Sequence, residues 1–414
     1  MPGKLLASVV LWLFVLLPFP LAAGEDLSQE NPFPLLPGLE GAIDFWKQIF
    51  TRYKSSELIF HDPLDPGKIY QVVEVGENAR VNRIIDEERK KIIREHGLKE
   101  KDQRVRAQRG VKELFASGLR LSRKYLDQMQ KILQEEDVPI ELAYLPLVES
   151  SFNIRARSRA GALGMWQFMP STGRRFLRIS STVDERRDPL ESTRAAARFL
   201  KENYRIFGNW PLAITAYNHG REGVLRAVAE VGSSDLMEII RRYQSPSFGF
   251  ASKSFYAEFL AAIEVAKRSE EFFPEVEYHP PFPLEELELK RAISVPALLK
   301  HVGVPRSEFF EWNPALNAQI HAIPSGYRIK IPPEKLNLFL SAYGHLVKLP
   351  SGEPELIRVK MTSRPWKLHR VSPGETLSQL ARRYGTSVGE IKRLNGLKST
   401  HRISAGQYLK IPRL

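Results

Sequence analysis

Residues 141–173 read ELAYLPLVESSFNIRARSRAGALGMWQFMPSTG. The stretch opens as a short apolar helix. Leu142, Leu145, Glu149 and Phe152 recur at steps of three or four, so they share one helical face. A carboxylate is out of place there. Ionised and unpaired among apolar side chains, it is costly and tends to neutralise instead. Pro146 removes a helix hydrogen bond and predicts a kink just before the glutamate. A turn rich in glycine and aromatic residues follows, Gly161-Ala162-Leu163-Gly164-Met165-Trp166-Gln167. Its glycines let backbone approach a ligand closely. Met165, Trp166 and Phe168 offer flat apolar surface, and Gln167 offers an amide that both donates and accepts. Pro170-Ser171-Thr172 starts another helix.

Working outward, Asp188-Pro189-Leu190-Glu191 has the form of a helix start, with Asp188 as its cap, which makes Asp188 structural. Residues 195–207 form an Ala-rich amphipathic helix, ended by Asn209-Trp210-Pro211. A short apolar helix then carries Tyr217-Asn218, and a later apolar helix carries Phe255-Tyr256. Upstream, residues 25–137 read as an amino-terminal helical region behind a Pro-rich lead-in. Phe45, Trp46, Ile49 and Phe50 mark one amphipathic helix, and His61-Asp62 reads as a turn because Pro63 follows. Residues 78–133 read as solvated helices; their basic character lacks the aromatic interleaving of a nucleic-acid arm.

Several of these motifs, in their order, resemble the soluble-type lytic transglycosylases, the goose-lysozyme-like murein enzymes. That family has a catalytic Glu followed by Ser, then Gly-Leu-Met-Gln, Ala-Tyr-Asn and a late Tyr. Here Glu149-Ser150, Gly164-Met165-Trp166-Gln167 and Ala216-Tyr217-Asn218 stand in that order, and Tyr256 is the candidate for the late Tyr. VESSF, GALGMWQFMPSTG and RDP are most similar to the membrane-bound D-type subgroup. The resemblance implies a lysozyme-like helical catalytic domain over residues 138–275. It implies Glu149 as the single catalytic acid and base. Ser150, Gly164, Met165, Trp166, Gln167, Tyr217, Asn218 and Tyr256 would be substrate-binding residues. The reaction would cleave the MurNAc-GlcNAc β-1,4 bond and close a 1,6-anhydro ring, with no cofactor and no metal.

Residues 367–414 read as strand, helix, helix, strand. Leu377, Leu380, Ala381 and Tyr384 form one helix face stopped by Gly385. Ser387 to Glu390 forms a capping box, and Tyr408 to Pro412 the closing strand. This resembles a LysM module, which implies binding to N-acetylglucosamine-containing chains. An earlier copy over residues 286–333 matches at Leu298-Leu299, Gly303, Asn313-Pro314 and Ile323 to Pro332. It lacks the Pro-Gly-Glu lead, so packing and sugar binding are equal expectations for it. Residues 334–366 read as a helix and linker. The expected class is therefore mainly α, with small α+β (βααβ) modules.

With 414 residues, 43% apolar and 26% charged, the chain is globular and long enough for several domains. It has no cysteine, which excludes disulfides, thiolate metal sites and a lipidated cysteine. Residues 1–24 read as a signal peptide, placing the protein in the periplasm or cell envelope; left uncleaved, the segment would be a weak membrane tether. The net charge is +13, and from Leu356 onward 13 Lys and Arg face only Glu375 and Glu390, a local +11. Behind a secretion signal, the polyanion such a tail meets is peptidoglycan, not nucleic acid. Two rival readings remain at this level. One is a goose-type lysozyme hydrolysing the same bond, with Asp184 the first candidate for a second carboxylate. The other is a non-catalytic wall-binding scaffold.

Overall fold

The computed structural model describes residues 31–76, 81–347, 366–372, 374–384, 386–395, 397, 403 and 407–412. Residues 1–24, expected to be a signal peptide, and residues 348–365 of the expected linker lie outside them, as do Gly385 and Gly396. The described chain is mostly helical, and none of its helices is long and apolar enough to cross a membrane. It divides into two compact units.

The first unit comprises residues up to Ser117, Met129–Val148 and Ala196–Val276. Helix Glu40–Thr51 buries Ile43, Phe45, Trp46, Ile49 and Phe50, the stripe expected of it, and packs on helix Phe250–Lys267. The region up to residue 137 is not wholly helical, as its sequence suggested. It holds a three-stranded antiparallel sheet of Glu57–Asp62, Asp65–Glu74 and Arg106–Arg109, with Glu57–Asp62 central. The central strand is buried on both faces, so it lacks the alternation that marks a half-exposed strand, and its edge partners are rich in charge. His61-Asp62 ends that strand and does not form the turn. His61 lies between Phe45 and Phe250 at ring distances of 4.3 and 5.0 Å, and burial pushes its pKa down to about 4. Asp62 accepts from Leu64 N (2.9 Å), the Tyr70 hydroxyl (3.1 Å) and Arg104 Nε (2.6 Å).

The second unit comprises Gly118–Gln128, Glu149–Ala195 and the chain from Glu277 onward. The contiguous domain expected over 138–275 is thus shared between the two units. What gathers residues 149–195 with the later chain is the first repeat. Its strands Glu285–Glu288 and Arg328–Ile331 pair antiparallel, and helices Val295–Val302 and Arg306–Trp312 lie between them. Helix Leu336–Val347, the helix expected at the start of residues 334–366, packs on Val295–Val302 with Phe339 stacked 6.1 Å from Phe309.

The join to residues 149–195 is a cluster of buried charges. Lys330, 1% exposed, pairs with Asp188 (2.8 Å), Glu191 (3.2 Å) and Glu286 (3.6 Å). Arg194 bridges Glu191 and Glu286, and Arg328 reaches Glu191 at 3.4 Å. Backbone bonds add to it, from Asp184 N to Ala315 O and from Asn317 N to Thr182 O.

The C-terminal module has the same order. Strands Trp366–Arg370 and Tyr408–Pro412 pair antiparallel around helices Leu377–Arg383 and Val388–Leu394. Val371, Leu380, Ala381, Ile391, Leu409 and Ile411 form its core. One bond marks the kinship of the two copies. Asn313 Nδ2 donates to Phe309 O, and Asn395 Nδ2 donates to Ile391 O, each closing the second helix four residues back. The capping box sits at Thr376 and Gln379. Ser387 caps Glu390 N, but the Glu390 carboxylate accepts from Thr386, so the expected box is only half made.

Candidate active site

Glu149 lies near the end of helix Leu145–Ser150, which follows the 3-10 turn Ile140–Tyr144. Pro146 causes no kink: it occupies the helix's first turn, where its missing N–H has no partner to lose. The helix stops at Ser150 because Ser151 and Phe152 both take left-handed conformations, φ 52° and 58°. Neither is glycine, and such residues cost on the order of 1–3 kcal/mol each. Phe152 therefore lies beyond the helix, although it is buried as its spacing suggested.

Part of Glu149 reaches the surface, yet the carboxyl is desolvated, and this alone pushes its pKa up to about 8. Among the described residues no hydrogen bond or ion pair compensates it. A protonated carboxylic acid at neutral pH, open on one side, is a proton donor in waiting.

A loop held from three directions follows. Ser150 Oγ donates to Met165 O at 2.8 Å, tying the helix end to the loop. Leu163 bridges to Arg157 and to Phe168, and Gly164 N donates to Ala156 O at 2.9 Å. Gly164 has φ +80°, and a Cβ there would strike the Arg186 carbonyl, so glycine is required for two reasons. Arg186 clamps the far side. Its Nη1 donates to Gly161 O (3.1 Å) and Phe168 O (3.2 Å), while Nε and Nη2 grip Asp184 at 2.9 and 2.7 Å. Gln167, at φ 48°, folds its Nε2 back onto Gly164 O at 2.7 Å, which leaves Oε1 as the atom it can offer a ligand.

Three of the residues expected to contact substrate are buried. Trp166 is 0% exposed and Met165 1%. The Trp166 indole N–H donates to Thr193 Oγ1 at 2.9 Å, and both side chains pack behind the loop. Their flat apolar surface drew the first reading, but two apolar side chains on a short loop gain more from burial than from exposure. Tyr256 is 0% exposed within helix Phe250–Lys267, and its hydroxyl donates to Pro34 O at 2.9 Å. It ties the lead-in segment to the core.

Glu149, Ser150, Gly164 and Gln167 stand together in the second unit, whereas Tyr217 and Asn218 belong to the first. Helix Trp210–His219, capped by Asn209 Oδ1 on Leu212 N (2.9 Å), buries Trp210 through Ala216. Tyr217 and Asn218 fall on its open C-terminal end. Asn218 is exposed, and the Tyr217 ring lies 5.5 Å from Phe199.

The other carboxylates around this loop are committed. Asp184 is gripped by Arg186, and Glu185 accepts from Arg178 N at 2.7 Å. Asp188 caps Leu190 and Glu191 N (2.9 and 3.0 Å) and pairs with Lys330. Among the described residues no group of His, Cys, Asp and Glu is arranged to hold a metal ion. Sequence reading missed Arg186 and Thr193. Arg186 sits in a charged run, DERRDP, that looks like a solvated loop, and Thr193 has no local signal.

The family model for the Transglycosylase SLT domain matches residues 128–240, and the LysM domain model matches residues 369–412. The chain is 26% identical over 292 residues to membrane-bound lytic murein transglycosylase D of Escherichia coli (strain K12), covering 67% of this chain and 61% of that relative. It is 40% identical over 109 residues to an Alteromonas sp. (strain M-1) protein named for tributyltin chloride resistance, covering 26% of this chain and 53% of that one. It therefore spans less than two thirds of the length of these relatives. Among solved structures, the soluble lytic transglycosylase SLT70 of Escherichia coli matches at 21% identity with a TM-score of 0.30, over 37% of this chain and 25% of that one.

Proposed function

We propose that this chain, which carries an SLT transglycosylase domain and a LysM domain, is a peptidoglycan lytic transglycosylase of the cell envelope. The observation that carries the reading is Glu149: a desolvated acid at a helix end, unpaired among the described residues, beside a loop whose carboxylates are engaged.

With its pKa near 8, Glu149 holds its proton at neutral pH and delivers it to the oxygen between N-acetylmuramic acid and N-acetylglucosamine. The C1–O bond breaks and the N-acetylglucosamine hydroxyl leaves. The substrate's acetamido group supports the cationic centre. Glu149, now a carboxylate, takes the proton of the C6 hydroxyl, and that oxygen bonds to C1. The acid is regenerated and no water is consumed. Gln167 Oε1, Tyr217 and Asn218 are the residues proposed to hold acetamido and hydroxyl groups. The C-terminal module, with its basic surplus, is proposed to retain the enzyme on the sacculus.

A lysozyme reading needs a second carboxylate to direct water. The commitment of Asp184 to Arg186 weighs against that reading, because freeing Asp184 would open the clamp that shapes the loop. The test is digestion of purified peptidoglycan followed by mass spectrometry. The expected muropeptides are lighter by one water, about 18 mass units, than hydrolytic ones. Glu149→Gln should lower the rate by about 10²–10⁴-fold or more. Hydrated products would make the protein a lysozyme. Binding to sacculi without products would leave the scaffold reading.

A further inference from the structure

The hairpin after Glu149 carries three arginines that nothing so far has used. Arg155, Arg157 and Arg159 are exposed, while Ile154, Ala156 and Ser158 between them are half-buried. The reason lies in the backbone. Ala156 O accepts from Gly164 N, Ser158 N donates to Ala162 O, and Ser158 Oγ accepts from Ala162 N. The even-numbered residues are thus spent on the loop, and the odd-numbered ones are turned outward. Arg157 stands at the bridge to Leu163, and Arg155 and Arg159 lie in the turns closed by Ala156 N on Asn153 O and by Gly161 N on Ser158 O. Among the described residues none of the three guanidinium groups makes a hydrogen bond or ion pair. This contrasts with Arg186 and Arg194 of the same segment, each held by carboxylates.

We propose that Arg155, Arg157 and Arg159 form a carboxylate-binding row for the peptide stems of the glycan strand, so that strands bearing stems are preferred over stripped strands. The proposal rests on the function given above, whose substrate carries acidic peptides beside the bond to be cut. Planar guanidinium groups suit carboxylates because they bind them with two parallel hydrogen bonds. The row lies on the same hairpin as Gly164 and Gln167, so a stem gripped there is gripped next to the reacting sugar.

The experiment compares two preparations of the same sacculi, intact and stripped of stems by an N-acetylmuramoyl-L-alanine amidase. Full-length wild type and R155Q/R157Q/R159Q are assayed for anhydro-ended products at low substrate concentration, in low and high salt. Exposed ion pairs contribute modestly, so the expected preference of wild type for intact strands is about tenfold at low salt, falling with added salt. The triple variant should lose that preference while matching wild type on stripped strands. Equal rates of wild type on both preparations, or an equal loss by the variant on both, would overturn the proposal. Should wild type release no anhydro ends at all, the functional reading has failed, and sedimentation with the same sacculi still decides the row. Weaker binding of the variant to intact sacculi only would sustain it, and identical binding of both proteins would overturn it. The C-terminal module is common to both proteins and cancels in that comparison.

Discussion

Glu149 and Asp188 are both carboxylates withdrawn from water in the same unit, and they are treated in opposite ways. Around Asp188 the molecule gathers Lys330, Arg194 and Arg328 to balance Asp188, Glu191 and Glu286. Burial alone would drive Lys330 toward its neutral form, but the three carboxylates more than reverse this and hold its pKa well above the lysine range. Burial likewise raises Glu191, yet Lys330, Arg194 and Arg328 together bring it down to about 2. Around Glu149 none of the described residues makes such provision. The same desolvation that is neutralised by partners in one place is left uncompensated in the other. The carboxylates of the cluster are paired; Glu149, the proposed acid, keeps its proton.

The contrast can be broken first at Lys330. Lys330→Met leaves Asp188 without its cation and takes one partner from Glu191 and Glu286, and should cost about 3–5 kcal/mol, read as a fall in the urea midpoint. Protonating those carboxylates substitutes for the lost cation, so the deficit should shrink at acid pH. A silent Lys330→Met would mean that the cluster is not a countercharge at all.

The next effect has the opposite sign. The Glu149 pKa in the folded protein is about 8, above the ordinary 4.5. Its favourable contribution is therefore complete below about pH 4.5 and is lost as the pH rises to 8. Glu149→Gln removes that liability. Unfolding titrations should find the variant more stable by on the order of a few kcal/mol at pH 8 and equal to wild type near pH 4. The rate of the wild-type enzyme should fall above about pH 8, where the acid is lost. A stability difference independent of pH would show that Glu149 is solvated like any surface acid.

The smallest effect sharpens the comparison by touching the scaffold between the two sites. Thr193 lies on the helix that Asp188 caps and accepts from Trp166 in the loop beside Glu149. Thr193→Val keeps the shape but removes that acceptor, and should cost about 1–2 kcal/mol in the same titration.

Much of the candidate site was legible because its signals are local. Glu149-Ser150, the Gly164 turn and the Tyr217-Asn218 helix end each announce themselves within a few residues. The same holds for the two βααβ repeats, whose caps and strands lie close together. What escaped the sequence depends on distant partners. Lys330 in RIKIP reads as a solvated strand charge, since nothing nearby reveals that Glu191, 139 positions earlier, will enclose it. The sheet over residues 57–109 was hidden for a related reason: Arg106–Arg109 is a strand only because Glu57–Asp62 supplies its hydrogen bonds. The burial of Trp166 was not legible because an aromatic on a Gly-rich turn suits a floor and a groove equally, and its partner Thr193 lies 27 positions away.

The pairing of Lys330 with Asp188 and Glu191 also imposes an order in time. The 139 positions between Glu191 and Lys330 correspond to on the order of ten seconds of ribosomal synthesis. During that interval residues 149–195 stand without the cation that pairs with Asp188. A product ending before Lys330 would keep Glu149, Gln167, Tyr217 and Asn218, yet lack the countercharge for Asp188. The balance of this buried cluster is thus set by the length of chain between a carboxylate and its cation.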